Sequence, residues 1–470
     1  MNEVWPYVLP LPKKPLDQHR VLLSAFSSEL SLEILKQASS EKPFFQSELI
    51  RRLPYSSKTI FGCLNKLVSS GVLESGMEKK KLKSKTVWVK WYKPTTLGRW
   101  FALLLLPPKK VAVAEARGML SQIFEEYSRN IAKVSTRLGL TGSSLLSKYH
   151  VAFINEVTKE HRARARDLNV IVFGSIAMDC IVPVEDFTLE ETAPVRSLYQ
   201  HPGGSGATVA VGLSRLGVSV GFAGKIGCDP WGQMLVEEIL KENVDLSQLT
   251  TSQELETLRT VILVGKEGKK RIIVPTENVA ISLDSPSQIE WGRVERASAV
   301  YVGEVFLELA EFIAGYGKSR GKPVFYRLLT PFAKFGIEKL LGVLRSARVT
   351  YMNEEGWNKL CEATPSLDDP TNLLRFGPDI VVITRNREGC SVYTRQKSIE
   401  VKAPVVKAVD STGAGDAFAA AFTKLVLNGK SVEEAAQYAS TAAALSTTRR
   451  GAWPSMPTHE EISQFIDARR

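Results

Sequence analysis

The sequence predicts an α/β domain built on a largely parallel sheet from about Asn169 onward, preceded by a small α+β domain and a helical connector. Three observations carry that prediction. Apolar runs of four or five residues recur after Asn169 with helical stretches between them. Before it, short helical repeats lead into an alternating, lysine-rich segment. The charge divides at the same place: the whole chain has 61 Lys+Arg against 50 Asp+Glu, but the first 166 residues hold 28 against 13, leaving 33 against 37 for the rest. At 470 residues the chain is too long for one ordinary domain, and 44% hydrophobic with 24% charged residues suits a globular protein with a sizeable core. The expected boundaries are 1–107, 108–168 and 169–470.

The first element begins near Leu22. Leu30, Leu32, Ile34 and Leu35 mark a helix ending around Ser39–Ser40. A short second helix starts at Phe45 and stops at Pro54, because proline restricts the residue before it. Ser56–Ser57 reads as the N-cap of a third helix, with Ile60, Cys63/Leu64, Leu67 and Val68 at helical spacing and Gly71 as its stop. Val72–Leu73, a lysine-rich tip (Lys79, Lys80, Lys81, Lys83, Lys85) and the alternating run Val87–Tyr92 then predict a basic hairpin. This order resembles a winged helix-turn-helix, with Thr59–Leu73 matching a recognition helix running into the wing. The resemblance implies double-stranded DNA as partner, contacted by Ser56, Ser57, Lys58, Asn65 and Lys66 on the helix and Lys79, Lys80 and Lys81 on the wing. A protein-binding module, or a basic face with no partner, is the alternative.

The connector reads as two helices separated near Thr141–Gly142. In the first, Leu120, Phe124, Tyr127, Ile131, Val134 and Leu138 recur at spacings of 4, 3, 4, 3 and 4. Such a stripe serves either packing on a neighbouring domain or homodimerisation. No apolar run approaches the ~20 residues that span a bilayer, and no apolar core follows a basic start. Five scattered cysteines without a C-x-x-C make a disulfide framework or tightly bound metal unexpected; no membrane role and a cytoplasmic location are expected.

From Asn169 the apolar runs Val170–Phe173, Ala299–Val302, Val324–Tyr326, Val349–Met352 and Ile380–Thr384 read as buried strands, with ligands expected at their carboxyl ends. The strongest motif is Val409-Asp410-Ser411-Thr412-Gly413-Ala414-Gly415-Asp416-Ala417-Phe418. Ser411 or Thr412 is expected to cap the helix that follows. Gly413, Ala414 and Gly415 then expose backbone N–H groups at its N-terminus, where they can hold a phosphate or the charge developing on one. Asp416, in the same turn, can take the proton of an attacking hydroxyl. Asn428–Gly429 fits the helix stop, and Ser431-Val432-Glu433-Glu434 a capping box for the next.

These residues closely resemble the ribokinase, or phosphofructokinase B, family of carbohydrate kinases, over about 300 residues and with motifs in the family's order. The resemblance implies a three-layer α/β sandwich with a small β lid, the lid drawn from Cys180–Val195 and Thr260–Pro275. It implies Asp416 as catalytic base and Gly413, Ala414 and Gly415 as anion hole. Gly174-Ser175-Ile176-Ala177-Met178-Asp179 and Pro202-Gly203-Gly204 match the acceptor side, giving Asp179, Gly203, Gly204 and Thr208 as substrate residues. Asn353, Glu354, Thr384 and Gly389 fall in the nucleotide and magnesium region, and Thr448–Ala452 resembles the nucleotide-side loop of the tail. ATP and Mg²⁺ are implied, with potassium near Asp410. The pattern departs at Thr208 (usually asparagine), at Gly356 (usually a second glutamate) and at Asn386 (usually glycine), although asparagine tolerates the left-handed backbone. The expected activity is phosphorylation of a sugar or nucleoside hydroxyl. The alternative is a transcription regulator that uses a catalytically weak kinase-like domain as a sugar sensor.

Overall fold

The computed structural model describes residues 15–37, 43–82, 85–105, 113–138, 142–163, 167–184, 197–264 and 270–469. The chain divides into two compact units, Met1–Leu145 and Leu146–Arg470.

In the first unit, helices Pro15–Phe26, Glu29–Gln37, Gln46–Arg52 and Ser57–Ser69 precede a hairpin of β2 (Leu73–Leu82) and β3 (Lys85–Pro94). Strand β1 (Phe44–Phe45) adds antiparallel to β3, giving the order β1-β3-β2. Leu30, Ile34, Leu35, Leu49, Ile60, Leu64, Leu67 and Tyr92 share one buried cluster, as the 3.6-residue spacing requires. Ser56 caps its helix by accepting the Thr59 N–H at 3.1 Å, and Gly71 turns the chain at φ 76°. The stop expected at Ser39–Ser40 lies outside the described residues.

Two features depart from the sequence reading. The helix Pro15–Phe26 starts before Leu22, with proline in the first turn where its missing N–H costs nothing, and it buries Val21 and Ala25. Lys79, Lys80 and Lys81, expected at the hairpin tip, lie within β2 opposite Trp88, Val87 and Thr86. The alternation of Val87–Tyr92 extends the ladder through them, and Lys83 falls outside the described residues. Helices Thr96–Leu105 and Val113–Leu138 follow. On the latter Phe124 and Tyr127 are exposed; the side chains of Leu120, Val134 and Leu138 are outside the described set.

The helix Gly142–Ala163, expected in the connector, packs from Leu146 onward as part of the second unit. Its Ile154 is fully buried, Arg162 Nε donates to Ser247 O at 3.0 Å, and Arg293 Nη2 donates back to Arg162 O at 2.5 Å.

The second unit is built on a nine-stranded sheet. Strands β8 (Asp245–Ser252), β7 (Val220–Gly227), β4 (Val170–Phe173), β13 (Ala299–Val302), β14 (Val324–Arg327), β15 (Val349–Asn353) and β16 (Ile380–Thr384) run parallel in that order. The antiparallel β17 (Cys390–Thr394) and β18 (Ser398–Val401) complete one edge. Side chains alternate between two cores: Val170 and Val172 join helices Ser205–Arg215, Ala414–Leu427 and Val432–Ser446, while Ile171 and Phe173 join helices Leu307–Ser319 and Gly336–Leu344. That is the expected three-layer sandwich.

A second sheet stands beside it. Strands β5 (Ala177–Pro183), β6 (Tyr199–Gly203), β10 (Arg259–Val264) and β11 (Lys270–Ile273) pair in the order β11-β10-β5-β6. β5, β10 and β11 overlap the segments expected for the lid, whereas β6 lies outside them, and 185–196 and 265–269 are outside the described residues. The two-residue strands β9 (Glu256–Thr257) and β12 (Val279–Ala280) pair with each other.

Candidate active site

Polar residues line up where the parallel strands end. Ser175 follows β4, Glu304 follows β13, and Arg327, Asn353 and Thr384 are the last residues of β14, β15 and β16. Because these strands are neighbours, residues far apart in sequence form one row along the carboxyl edge, where α/β sheets bind ligands.

The turn expected on the acceptor side comes from the smaller sheet. Strand β6 ends at Gly203, and Gly204 at φ 81° opens the helix Ser205–Arg215. A Cβ on Gly203 would lie 2.0 Å from Asp179 Oδ2 and displace that carboxylate, while one on Gly204 would lie 2.6 Å from Ile176 Cα at φ 81°, where only glycine fits. Asp179 is 6% exposed and accepts from Thr260 Oγ1 at 2.5 Å. Asp179, Gly203 and Gly204 thus come together as the sequence predicts. Thr208 does not join them: it is fully buried, and its hydroxyl donates to Gly204 O at 2.7 Å, one helical turn back.

The helix Ala414–Leu427 starts differently from the sequence reading. Its N-cap is Gly413 at φ 83°, with no side-chain cap. Thr412, expected to cap, instead donates through both N–H and Oγ1 to Asp410 Oδ1, at 2.9 and 2.7 Å. Asp410 Oδ2 accepts the Gly451 N–H at 3.0 Å, so this carboxylate ties the turn before the helix to the 448–452 loop. That loop also meets the lid, where Arg450 sits 5.0 Å above the Tyr199 ring. With no capping side chain, the Gly415 N–H donates to no backbone carbonyl among the described residues. An open helix N-terminus of this kind suits an anion.

Asp416 follows at once and is 7% exposed. Ser205 Oγ donates to its Oδ1 at 2.6 Å, and Arg327 Nη1 bonds the same oxygen. Arg327 Nη1 also reaches Ser205 Oγ at 2.9 Å, while a Cβ on Gly415 would lie 3.1 Å from Arg327 Nη2. Asp179 and Asp416 therefore meet the same turn, one over Gly203 and the other on Ser205.

Glu304 lies behind this group. Its Oε2 accepts from Ser175 Oγ and, at 3.2 Å, from the Ser205 N–H. Removal from water pushes its carboxyl above the usual glutamate range, an effect that the Arg327 charge and the Ser205 N–H partly offset. Burial likewise pushes the Tyr301 phenol up to about 12. Ser205, Glu304 and Arg327 were not among the residues singled out from the sequence. The available signal was a polar residue at the end of an apolar run: Gly303–Glu304 after Ala299–Val302, and Arg327 after Val324–Tyr326.

At the other end of the row, Asn353 and Thr384 are register partners on β15 and β16. Asn353 Oδ1 caps the helix Glu354–Ala363 by accepting the Gly356 N–H at 2.8 Å, and it accepts from Thr330 Oγ1 at 3.0 Å. Glu354 and Glu355 are exposed in that helix's first turn. A Cβ on Gly356 would approach Asn353 Oδ1 to 2.9 Å, so a side chain there would crowd the cap. Asn386 adopts φ 49°, the left-handed conformation for which asparagine can replace glycine, and Gly389 follows at φ 105° with Val401 O against it. Asn353 and Glu354 are hard oxygen donors of the kind magnesium takes alongside phosphate oxygens and water.

This arrangement has relatives. Residues 167–459 match the family model described as pfkB family carbohydrate kinase. Fructokinase-1 of Zea mays is 26% identical over 324 residues, covering 65% of this chain and 99% of that protein. The ribokinase of Thermotoga maritima superposes with a TM-score of 0.55 at 25% identity, over 64% of this chain and 99% of its own. An Arabidopsis thaliana ribokinase solved with ribose and ATP gives the same TM-score at 24% identity and the same coverage, which extends the likeness in fold. The site, the fold and the matched family agree: this chain belongs to the pfkB family of carbohydrate kinases and is an ATP-dependent enzyme of that family.

Proposed function

We propose that the second unit transfers the γ-phosphoryl group of ATP to a hydroxyl of a free sugar or nucleoside, with Asp416 as general base. The carrying observation is the convergence of Asp179, Ser205 and Asp416 on one turn beside the open helix N-terminus at Gly413–Gly415. Asp179 and the backbone of Gly203–Gly204 would hold acceptor hydroxyls. Asp416 would take the acceptor proton as the acceptor oxygen bonds to the γ-phosphorus and the bond to the β–γ bridging oxygen breaks, leaving ADP. Gly413, Ala414 and Gly415 would face the charge on the migrating group. Thr384 and Gly389 would border the nucleotide, and Asn353 and Glu354 would hold Mg²⁺, which neutralises phosphate charge when bound. The lid sheet would exclude water from the acceptor. Potassium activation near Asp410 belongs to the same reading.

The first unit is proposed to be a winged helix-turn-helix that binds double-stranded DNA. Ser56, Ser57, Lys58, Asn65 and Lys66 are all exposed on or beside the helix Ser57–Ser69, and Lys79 and Lys80 are exposed on β2. The Ser56 hydroxyl serves as helix cap, which leaves Ser57, Lys58, Asn65 and Lys66 as the freer set for contacts. The exposed Phe124 and Tyr127 of helix Val113–Leu138 support homodimerisation, which would present paired DNA-binding units.

A second reading has one observation in its favour. Arg327 pairs with one oxygen of Asp416 and so weakens it as a base, as expected of a domain that senses sugar and turns it over poorly. The test is a coupled assay for ADP release by the full chain with MgATP over a panel of sugars, sugar phosphates and nucleosides. Turnover of a sugar or nucleoside is the expected result. Saturable binding of a sugar without ADP release would favour the sensor, and neither binding nor turnover would remove both readings.

A further inference from the structure

On the kinase reading above, we infer that Arg327 is a further catalytic residue: it covers Asp416 in the empty site and passes to the migrating phosphoryl group once MgATP is bound. A guanidinium held on Oδ1 draws charge from the whole carboxylate, so Asp416 is a weaker proton acceptor at either oxygen while the pair persists. The pair is well shielded, with 24% of the arginine side chain and 10% of the aspartate exposed, so water is a poor replacement for either partner. Arg327 leaves Asp416 readily only if another anion is within reach.

Two are. Glu304 lies close enough for the guanidinium to lower its carboxyl pKa, but it already accepts from Ser175 and Ser205. The other is the phosphoryl group itself. Arg327 Nη2 lies against Gly415, whose N–H donates to no backbone carbonyl among the described residues and would face the phosphate charge. Arg327 is the last residue of β14, in the middle of the sheet, so its backbone is fixed and only its side chain needs to move. Ser205 can hold Asp416 in place during the exchange, since its hydroxyl bonds that carboxylate independently. Arg327 would then do two things in sequence: free the base only when nucleotide is present, and stabilise charge on the equatorial phosphoryl oxygens as the acceptor oxygen bonds and ADP departs. It donates no proton; the acceptor proton goes to Asp416.

A recognition role toward an anionic acceptor is the competing chemistry. Asp179, Asp416 and Glu304 all lie around that turn, so an acidic acceptor would face three carboxyl groups.

The test compares Arg327→Gln and Arg327→Lys with the wild-type full chain, using D-fructose and D-ribose as acceptors and calorimetric binding of MgADP with and without aluminium fluoride. Aluminium fluoride mimics the migrating phosphoryl group, so the nucleotide arm reads even for an acceptor that is turned over slowly. The expected result is a kcat at least about 100-fold lower in Arg327→Gln, with acceptor KM within about threefold. Aluminium fluoride should tighten MgADP binding in the wild type and not in Arg327→Gln, while MgADP alone binds both alike. Arg327→Lys, which keeps the charge and loses the fork, should fall between them, and it serves as the readout should the glutamine variant not fold. Unchanged or raised kcat, a raised acceptor KM at unchanged kcat, or aluminium fluoride acting equally on all three would overturn the inference. Failure of the wild type to bind MgADP at all would instead bring down the kinase reading beneath it.

Discussion

Glu304 is the residue whose ionic state the fold alters most legibly. Its carboxyl binds a proton more tightly in the folded chain than in the unfolded one, chiefly because it is removed from water. Stability therefore declines as pH rises through the ordinary glutamate range near about 4.3, where the unfolded state ionises first. Glu304→Gln is accordingly expected to raise Tm at pH 7 relative to wild type, with the gain shrinking toward zero as pH falls below about 4 and both forms become neutral. A variant that is less stable at pH 7 would show instead that the pairing with Arg327 outweighs desolvation. Residues differ in how far they can be read from sequence. Asp416, Gly413 and Gly415 sit in one short string, so their meeting follows from local chain geometry. Arg327 reaches Asp416, and Glu304 reaches the Ser205 that Asp416 also holds, from the ends of neighbouring strands β14 and β13, and no spacing along the chain records that. Thr208 shows the opposite failure: its chemistry suited a ligand, but within a helix a threonine hydroxyl has the carbonyl one turn back available, and here it takes Gly204 O.

Among elements, the start of helix Ala414–Leu427 carries the most chemistry. A serine or threonine cap would satisfy its N–H groups and remove the anion site. Gly413 at φ 83° instead leaves the Gly415 N–H without a backbone acceptor among the described residues, and its Cβ position is crowded by Met456 Cε at 3.1 Å and Ala452 Cα at 3.2 Å. Gly413→Ala should therefore cost about 1–2 kcal/mol for the left-handed backbone alone, read as a lower denaturation midpoint, together with weaker MgADP binding. A fully stable variant with normal nucleotide affinity would mean that the turn is not under the constraint described. The elements themselves were largely legible. The apolar runs became β4, β13, β14, β15 and β16, and Ser431 opens its helix with the expected capping box to Glu434. The cap at Gly413 was not legible, because Ser411 and Thr412 have capping chemistry and it is a local turn, with Asp410 two residues back taking the Thr412 donors, that decides against it. The long β2–β3 ladder was likewise hidden, since lysines alternate poorly with apolar residues and read as a tip.

At the scale of the whole chain, charge and chemistry separate: the first 166 residues carry the excess of Lys+Arg, and the sheet carboxyl edge lies in the second unit. If the first unit binds duplex DNA, mobility shifts of the full chain should weaken steeply with salt, and replacing Lys58 and Lys66 with alanine should reduce the slope of log affinity against log salt by about 2. Binding that ignores salt, or none at low salt, would make that unit a protein-interaction module. The kinase chemistry belongs to the second unit, and turnover by Asp416→Asn is its sharpest test. With an acceptor found in the panel, ADP release is expected to fall about 10²–10⁴-fold while the variant stays folded and still binds MgADP. An Asp416→Asn chain that still phosphorylates the same acceptor at a rate near wild type would contradict it.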